Sequence, residues 1–296
     1  MSIADTDTEG PDRADRHALP AYSILRPQIG LCPALFASPH SGREYPQWFC
    51  DKLRVPLLDL RQTEDAFVDQ LFSSAPTHGA QLIKATYARS YVDLNRDARE
   101  LDPAMFIGAP PGPVAAPTVR VEAGLGCFPR IGARGESIYA KKLSTAEGRA
   151  RLDHVYTPYH AALSREIAAL RHTFGCAILI DCHSMPSRQP GRPDLPDFVL
   201  GDRFGSSCTG QLTSLVERFL RAAGFSVTRN APYAGGYTTR KYGRPKRDVH
   251  ALQIEINRRL YLNEATVTPI DAMEALTDQL SALVETIAEF SERLRP

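Results

Sequence analysis

The feature that most constrains the fold is an alternation of short apolar runs with longer segments of helical periodicity. Four segments have the length and apolar content of buried strands: Leu31–Phe36, Gln81–Tyr87, Cys176–Ile180 and a segment starting at about Val249. Strands that alternate with helices are typical of α/β proteins, in which helices cover both faces of a largely parallel sheet. The sequence therefore predicts an α/β fold with a mixed, largely parallel sheet and helices on both faces.

Apolar residues at helical spacing predict helices over residues 58–73, 145–172, 209–223 and 270–294. Pro158 lies inside the second of these and is expected to kink or split it. Between the elements, residues 102–135 are rich in proline and glycine. Long irregular segments in compact domains are often functional, so this one is a candidate lid over a binding site.

The polar, acidic segment 1–22 is predicted to be a disordered lead-in, and residues 23–296 a single domain. The chain carries 35 Lys plus Arg and 34 Asp plus Glu, a formal net charge of +1. This balance argues against a nucleic-acid partner, and no apolar run approaches the roughly 18 residues of a membrane span. The six cysteines form no C-x-x-C, and the N-terminus lacks the pattern of a secretory signal. We expect reduced thiols and a cytoplasmic protein; the oligomeric state is left open.

Three polar groups fall where predicted strands end. His40 follows the first strand in "PHSG", and His183 follows the strand Cys176–Ile180 in "DCHS". Strand periodicity places Gln253 and Glu255 on one face near the end of the last strand. A carboxylate in an otherwise apolar strand is costly unless it has a partner or a function. Since ligands of open α/β sheets bind at the carboxyl ends of strands, these groups are expected to face one crevice.

Two histidines and a carboxylate are the usual protein ligands of a catalytic zinc ion. Either histidine alone would more often be structural, but the pair together with an inward Glu255 favours a metal site. The residues leave the acidic ligand open among Glu44, Glu64, Asp65 and Asp181. Asp181 directly precedes His183 and is also suited to hold its imidazole in place from outside the metal site.

Arginines form a second group of candidates. Arg89 and Arg96, with Asn95 beside the latter, lie in "ARSYVDLNRD", and Arg244 lies in "YTTRKYGRPKRD". A guanidinium matches a carboxylate in two parallel hydrogen bonds, although each arginine alone is more often a solvated surface charge.

Several ordered blocks together resemble the N-formylglutamate amidohydrolases over about residues 31–265. They are "SPHSGREYP", "YVDLNRD", "PRIGARGESIY", "YTPYHAAL", "LIDCHSMP", "VLGDRFGSSC", "RNAPYAGGYTTRKYGRP" and "HALQIEINRRLY". The resemblance implies a zinc hydrolase with a fold related to the zinc carboxypeptidases and aspartoacylases, the zinc-exopeptidase type. It also implies hydrolysis of N-formyl-L-glutamate to formate and L-glutamate, a step in histidine breakdown.

Carried over by position, the resemblance implies that His40 and His183 bind one zinc ion per chain. The block "TEDAFVDQL" would supply the acidic ligand, for which we favour Asp65 with Glu64 as the alternative. The wider carboxypeptidase-like pattern has its acid three residues after the first histidine, where this chain has Arg43.

Glu255 matches the position of the general base. The Asn–Arg pair of "LNR" resembles the pair that holds a substrate carboxylate in carboxypeptidase-like enzymes. The candidate substrate-binding residues are Arg96, Asn95, Arg89, Arg244 and Tyr237.

Two alternatives keep these residues but change the function. The site could serve another N-acyl amino acid or a short peptide. The chain could also be a catalytically silent protein that binds a dicarboxylate with its arginines and holds no zinc.

Overall fold

The computed structural model describes residues 19–28, 30–189, 191 and 195–295. Residues 1–18, most of the predicted disordered segment, lie outside the described residues, so that expectation stays a prediction. The first strand begins at Tyr22, the last residue of that segment.

A central sheet organises the molecule. Its seven strands are β1 (Tyr22–Leu25), β2 (Ala34–Ser38), β3 (Gln81–Ala85), β6 (Ala177–Met185), β7 (Phe198–Gly201), β8 (Val227–Arg229) and β9 (Val249–Asn257). Two small pairs complete the described strands: β4 (Phe106–Ile107) with β5 (Leu143–Ser144), and β10 (Leu262–Asn263) with β11 (Thr268–Pro269). The strand order of the sheet is β1-β3-β2-β6-β9-β7-β8, and only the β1–β3 and β7–β9 pairs are antiparallel. The predicted single α/β domain with a mixed, largely parallel sheet is confirmed.

Nine α-helices occur in the described residues: α1 (Gln47–Cys50), α2 (Leu57–Arg61), α3 (Val68–Leu71), α4 (Val119–Glu122), α5 (Thr145–Arg151), α6 (Thr157–Phe174), α7 (Gly210–Ala222), α8 (Tyr237–Tyr242) and α9 (Ala272–Arg293). None of these described helices is both long and apolar enough to cross a membrane. The segment "YTTRKYGRPKRD", which carries Arg244, begins with α8. Residues 102–135 are largely irregular, as predicted, apart from a short 3₁₀ helix, β4 and α4.

The prediction of one helix over 58–73 is wrong, because the chain forms the short helices α2 and α3 with a turn between them. Within that turn the amide of Asp65 donates to the carbonyl of His40 at 3.0 Å. Phe67 then adopts a left-handed conformation with φ of 63° before α3 starts. The tertiary contact with His40 therefore overrides the helical pattern and turns Asp65 towards the end of β2.

The predicted helix over 145–172 runs without a break from α5 through a π-helical turn into α6. Pro158 neither ends nor splits it; a π-helical turn over Leu152–Tyr156 directly precedes the first turn of α6. Proline has no N–H to donate, and a change of hydrogen-bonding pattern just before it accommodates that loss.

Strand β6 is longer than predicted. It runs to Met185 because β9 pairs with it residue by residue, with His183 opposite Glu255 and Met185 opposite Asn257. His183 therefore lies inside a strand, not in a loop after it, and its orientation is set by the pleat.

Candidate active site

Three side chains from separate parts of the chain meet at the carboxyl ends of β2 and β6. His40 follows β2, Asp65 lies between α2 and α3, and His183 lies in β6; all three are buried. Oδ2 of Asp65 is 3.3 Å from Nδ1 of His40 and 2.9 Å from Nδ1 of His183. This is a group of donor atoms that could hold a metal ion.

The outer nitrogen of each imidazole faces another carboxylate. Nε2 of His40 is 2.7 Å from Oδ1 of Asp93, and Nε2 of His183 is 3.0 Å from Oδ1 of Asp181. Histidines that bind metals usually have such a partner on the second nitrogen, which fixes the ring and raises its basicity. Both Nδ1 atoms are thereby turned towards Asp65.

These donors fit a zinc ion. Tetrahedral ligands at about 2.0–2.1 Å from zinc stand roughly 3.3 Å apart, close to the spacing of Asp65 Oδ2 from the two Nδ1 atoms. Among the described residues, Nδ1 of His40 is also a buried nitrogen without a hydrogen bond. A buried nitrogen without a partner is costly in a folded protein unless a ligand completes it.

Asp65 is kept ionised by its surroundings. Burial by itself would raise its pKa, but the hydrogen bond with His183, the adjacent imidazole of His40 and the charge of Arg89 hold that pKa well below the usual range. Its second oxygen is 3.1 Å from Nη2 of Arg258 and 3.6 Å from Nη1 of Arg89. A deprotonated carboxylate is the form that binds a metal.

Asp93 is held in the same state. Burial would raise its pKa, but the charges of His40, Arg89 and Arg96 hold it well below the usual range. Nη2 of Arg89 donates to Asp93 at 2.9 Å, so this arginine spans the carboxylates of Asp65 and Asp93.

Glu255 has the opposite electrostatic character. It lies in β9 beside His183 and accepts a hydrogen bond from Nε2 of Gln253 at 2.7 Å. Burial raises its pKa to about 7, although the charge of His183 acts to lower it. A carboxyl group with a pKa near neutrality is suited to accept and return a proton.

Glu64, the alternative acidic ligand, is buried but not part of the metal-binding group. Its Oε1 accepts a hydrogen bond from the hydroxyl of Tyr45 at 2.7 Å and another from Nε of Arg61 at 3.3 Å. The geometry brings Asp65, and not Glu64, to the two histidines.

His40, Asp65, Asp93, His183 and Glu255 line a cavity of about 460 Å³. The segment predicted to be a lid contributes part of the wall, from Arg120, Leu125 and residues around Gly132. Four arginines line the cavity: Arg89, Arg96, Arg120 and Arg258.

The predicted substrate-binding residues fall into two sets. Arg89, Arg96 and Asn95 line the cavity, whereas Arg244 and Tyr237 do not. Arg244 donates to the carbonyls of Arg240 and Gly243. The ring of Tyr237 packs edge-on against His160 with 5.6 Å between the ring centroids, so among the described residues neither Arg244 nor Tyr237 has a place at the cavity wall.

Asn95 is engaged by the protein itself. Its Oδ1 accepts from the amide of Thr238 at 2.8 Å, and its Nδ2 lies 3.0 Å from Nε2 of His183. A second contact joins Nδ2 to Asp181 at 3.4 Å. Its role in substrate binding stays a prediction; its observed hydrogen bonds connect Thr238 of α8 with Asp181.

Asp93, Arg120 and Arg258 were not among the candidates from the sequence. Asp93 carried a signal, since it lies two residues before Asn95 in "VDLNRD". Arg258 follows Glu255 by three residues, beyond the predicted alternation of the strand, and Arg120 lies in a segment without periodicity.

Known proteins resemble this chain over most of its length. The family model of N-formylglutamate amidohydrolase matches residues 32–262. N-formylglutamate deformylase of Pseudomonas putida is 33% identical over 246 residues, which cover 81% of this chain and 86% of that protein. N-formylglutamate deformylase of Pseudomonas aeruginosa is 31% identical over 279 residues, 90% of this chain and 95% of that protein.

The fold also has a solved counterpart. The crystal structure of N-formylglutamate amidohydrolase from Ralstonia eutropha JMP134 superposes with a TM-score of 0.87 at 36% identity, covering 93% of this chain and 99% of that one. The resemblance of the sequence blocks is thus confirmed across most of the chain. The chain belongs to the N-formylglutamate amidohydrolase family.

Proposed function

We propose that this chain is a zinc-dependent amidohydrolase that converts N-formyl-L-glutamate into formate and L-glutamate. The observation that carries the proposal is the buried group of His40, Asp65 and His183 beside Glu255, in a cavity lined by arginines. A metal site, a proton-transfer group and cations for an acidic substrate are thereby combined in one place.

The three donors would hold one zinc ion per chain. When bound, zinc supplies Lewis-acid polarisation of the formyl oxygen and lowers the pKa of a water ligand. Asp93 and Asp181 keep the two imidazoles oriented for this role, and Arg258 fixes Asp65.

Glu255 acts as the general base and acid. It takes a proton from the attacking water and delivers it to the nitrogen that leaves as the amine of L-glutamate. Burial raises its pKa to about 7, and the positive charge of a bound metal would lower that pKa.

Arg89 contributes charge stabilisation. Its guanidinium lies beside Asp65, so it is close to the place where negative charge develops on the formyl oxygen. Arg96 binds a carboxylate of the substrate; two of its nitrogens are anchored on the carbonyls of Leu125 and Asn95.

The test uses the purified protein. We expect about one zinc per chain by mass spectrometry and formate release from N-formyl-L-glutamate. N-acetyl-L-glutamate and N-acetyl-L-aspartate should be poorer substrates, and chelation followed by zinc addition should abolish and then restore activity. Protein that holds no zinc and binds N-formyl-L-glutamate without releasing formate would be a silent dicarboxylate-binding protein instead. A faster reaction with an acetyl substrate would reassign the substrate.

Cytoplasmic action in histidine breakdown stays a prediction from the sequence.

A further inference from the structure

The cavity contains more cations than the metal centre uses. Arg258 donates to Asp65, Ser184 and the carbonyl of Gln62, and Arg89 spans Asp65 and Asp93. These two guanidiniums are therefore committed to holding carboxylates of the protein. Arg96 and Arg120 are the other two arginines of the cavity wall.

Arg120 has no partner for its charge. In the described part of the chain its guanidinium makes no ion pair and no side-chain hydrogen bond. The side chain is exposed, yet it is one of those that line the cavity. Arg130 and Arg134, from the same irregular segment, differ in this respect, since they pair with Asp102 at 3.3 Å and Asp59 at 3.9 Å.

The local backbone ties Arg120 to Arg96. The amide of Leu125 donates to the carbonyl of Arg120 at 2.7 Å, and the carbonyl of Leu125 accepts from Nε of Arg96 at 3.0 Å. Gly126 allows this close docking, because a Cβ there would come within 2.5 Å of the carbonyl oxygen of Glu100. The turn around Leu125, within residues 102–135, thus holds both arginines at the same wall of the cavity.

Their charges act on each other. Desolvation of its guanidinium at the cavity wall and then the charge of Arg96 lower the pKa of Arg120, while Glu100 and Asp93 act in the opposite direction. Two neighbouring guanidiniums without a carboxylate between them repel, and an anion that bridges them relieves the repulsion.

We propose that Arg120 binds the side-chain carboxylate of the substrate and thereby sets the preference for an acidic N-formyl amino acid. The assignment of the two carboxylates follows from their positions. The α-carboxylate is attached to the carbon that carries the reacting nitrogen, and Arg96 adjoins Asn95, which contacts His183. The side-chain carboxylate lies farther from the reacting bond. Arg120 belongs to residues 102–135, the segment predicted to be a lid, and is assigned to this second carboxylate. This inference rests on the proposed hydrolysis of N-formyl-L-glutamate.

The experiment compares two substrates on two enzymes. N-formyl-L-glutamine keeps the shape and the α-carboxylate of N-formyl-L-glutamate but lacks the side-chain charge. The natural protein should prefer the glutamate substrate in kcat/KM by roughly 50-fold, as a charge-assisted pair predicts. In Arg120→Gln this preference should fall to near unity through a higher KM with little change in kcat, because the contact is made equally in the ground and transition states.

Arg120→Lys should recover part of the preference, since the charge remains but the two-bond geometry is lost. Arg134→Gln is the matched control from the same segment and should behave like the natural protein. An unchanged glutamate preference in a folded Arg120→Gln, checked by its melting temperature, overturns the assignment of Arg120. A natural protein with no formate release at all would instead overturn the proposed function.

Discussion

Strands β6 and β9 present two different surfaces from the same residues. On one face, Cys182, Leu252, Ile254 and Ile256 pack into an apolar core with α9. The other face begins with apolar residues of both strands that pack on α6; beyond them, His183, Gln253 and Glu255 line the cavity and Asp181 contacts His183. The pleat alone separates them, since each residue differs from its neighbour in the face that it occupies.

The two faces depend on different physical terms. The apolar face is stabilised by area removed from water, which is non-directional and shared by many side chains. The polar face consists of buried groups that each need a particular hydrogen-bonding or charged partner. Its desolvation cost is therefore offset by individual contacts. We therefore expect substitutions on one face to change stability and substitutions on the other to change chemistry.

Glu255→Gln should have the largest effect. The variant keeps the size of the side chain and its contact with Gln253 but cannot take a proton. We expect formate release to fall roughly 10³-fold, the order of a lost general base, with zinc content and melting temperature retained. Steady-state kinetics with zinc analysis measures this, and turnover near that of the natural protein at equal zinc content would refute the role of Glu255.

Ile254→Ala, the adjacent position on the other face, should reverse the pattern. Ile254 is fully buried, and its truncation leaves a cavity that costs about 3 kcal/mol of unfolding free energy. Zinc affinity and turnover at low temperature should stay within about twofold. Ile107→Ala is the matched control, because that side chain is 66% exposed and should cost little. Loss of zinc by Ile254→Ala under native conditions would show that the two faces are not independent.

The alternation itself was predictable from the sequence. The two-residue period of a strand correctly placed Gln253 and Glu255 on one face and Leu252 and Ile254 on the other, because the register of a buried strand fixes the face of every residue. The turn after α2 was not predictable in this way. The segment around Asp65 has a helical pattern, and only the contact of its amide with the carbonyl of His40 breaks the helix.

Asp93→Asn should have a smaller effect on the polar face. Asp93 touches His40 from the outside at 2.7 Å, and loss of such a partner typically weakens metal binding by about 10-fold to 100-fold. Competition with a chelator of known affinity measures this. Asp97→Asn is the control, since the side chain of Asp97 pairs with the exposed Arg99. Equal zinc affinities for the two variants would remove Asp93 from the support of His40.

The supporting groups mark where the sequence was least informative. Asp181 was suggested by its place beside His183, whereas Asp93 and Arg258 come from segments far from the residues they hold. Their roles depend on which loops come into contact at the strand ends. A single sequence does not indicate such tertiary contacts. The partners of His40 and Asp65 were therefore harder to predict than the two histidines themselves, which lie at the carboxyl ends of β2 and β6.

His160 tests whether every buried polar group on the site's side of the sheet serves the site. This histidine of α6 lies between the carbonyl of Leu94 at 3.0 Å and the hydroxyl of Tyr242 at 2.9 Å, outside the cavity wall. Burial, helped by the charge of Lys241, lowers its pKa to about 3. Between about pH 6.5 and pH 3 the unfolded chain therefore binds a proton that the folded protein does not.

Stability should consequently fall as the pH falls through that window, by about 1.4 kcal/mol per pH unit from this group alone. In His160→Gln the slope of unfolding free energy against pH should be shallower by that amount, while kcat at neutral pH changes little. Urea titrations at several pH values measure the slope, and His172→Gln, an exposed histidine of the same helix, should leave it unchanged. A large loss of kcat in folded His160→Gln would contradict the separation of buried polar groups into those that serve the site and those that do not. It would show that a group outside the cavity affects the reaction within it.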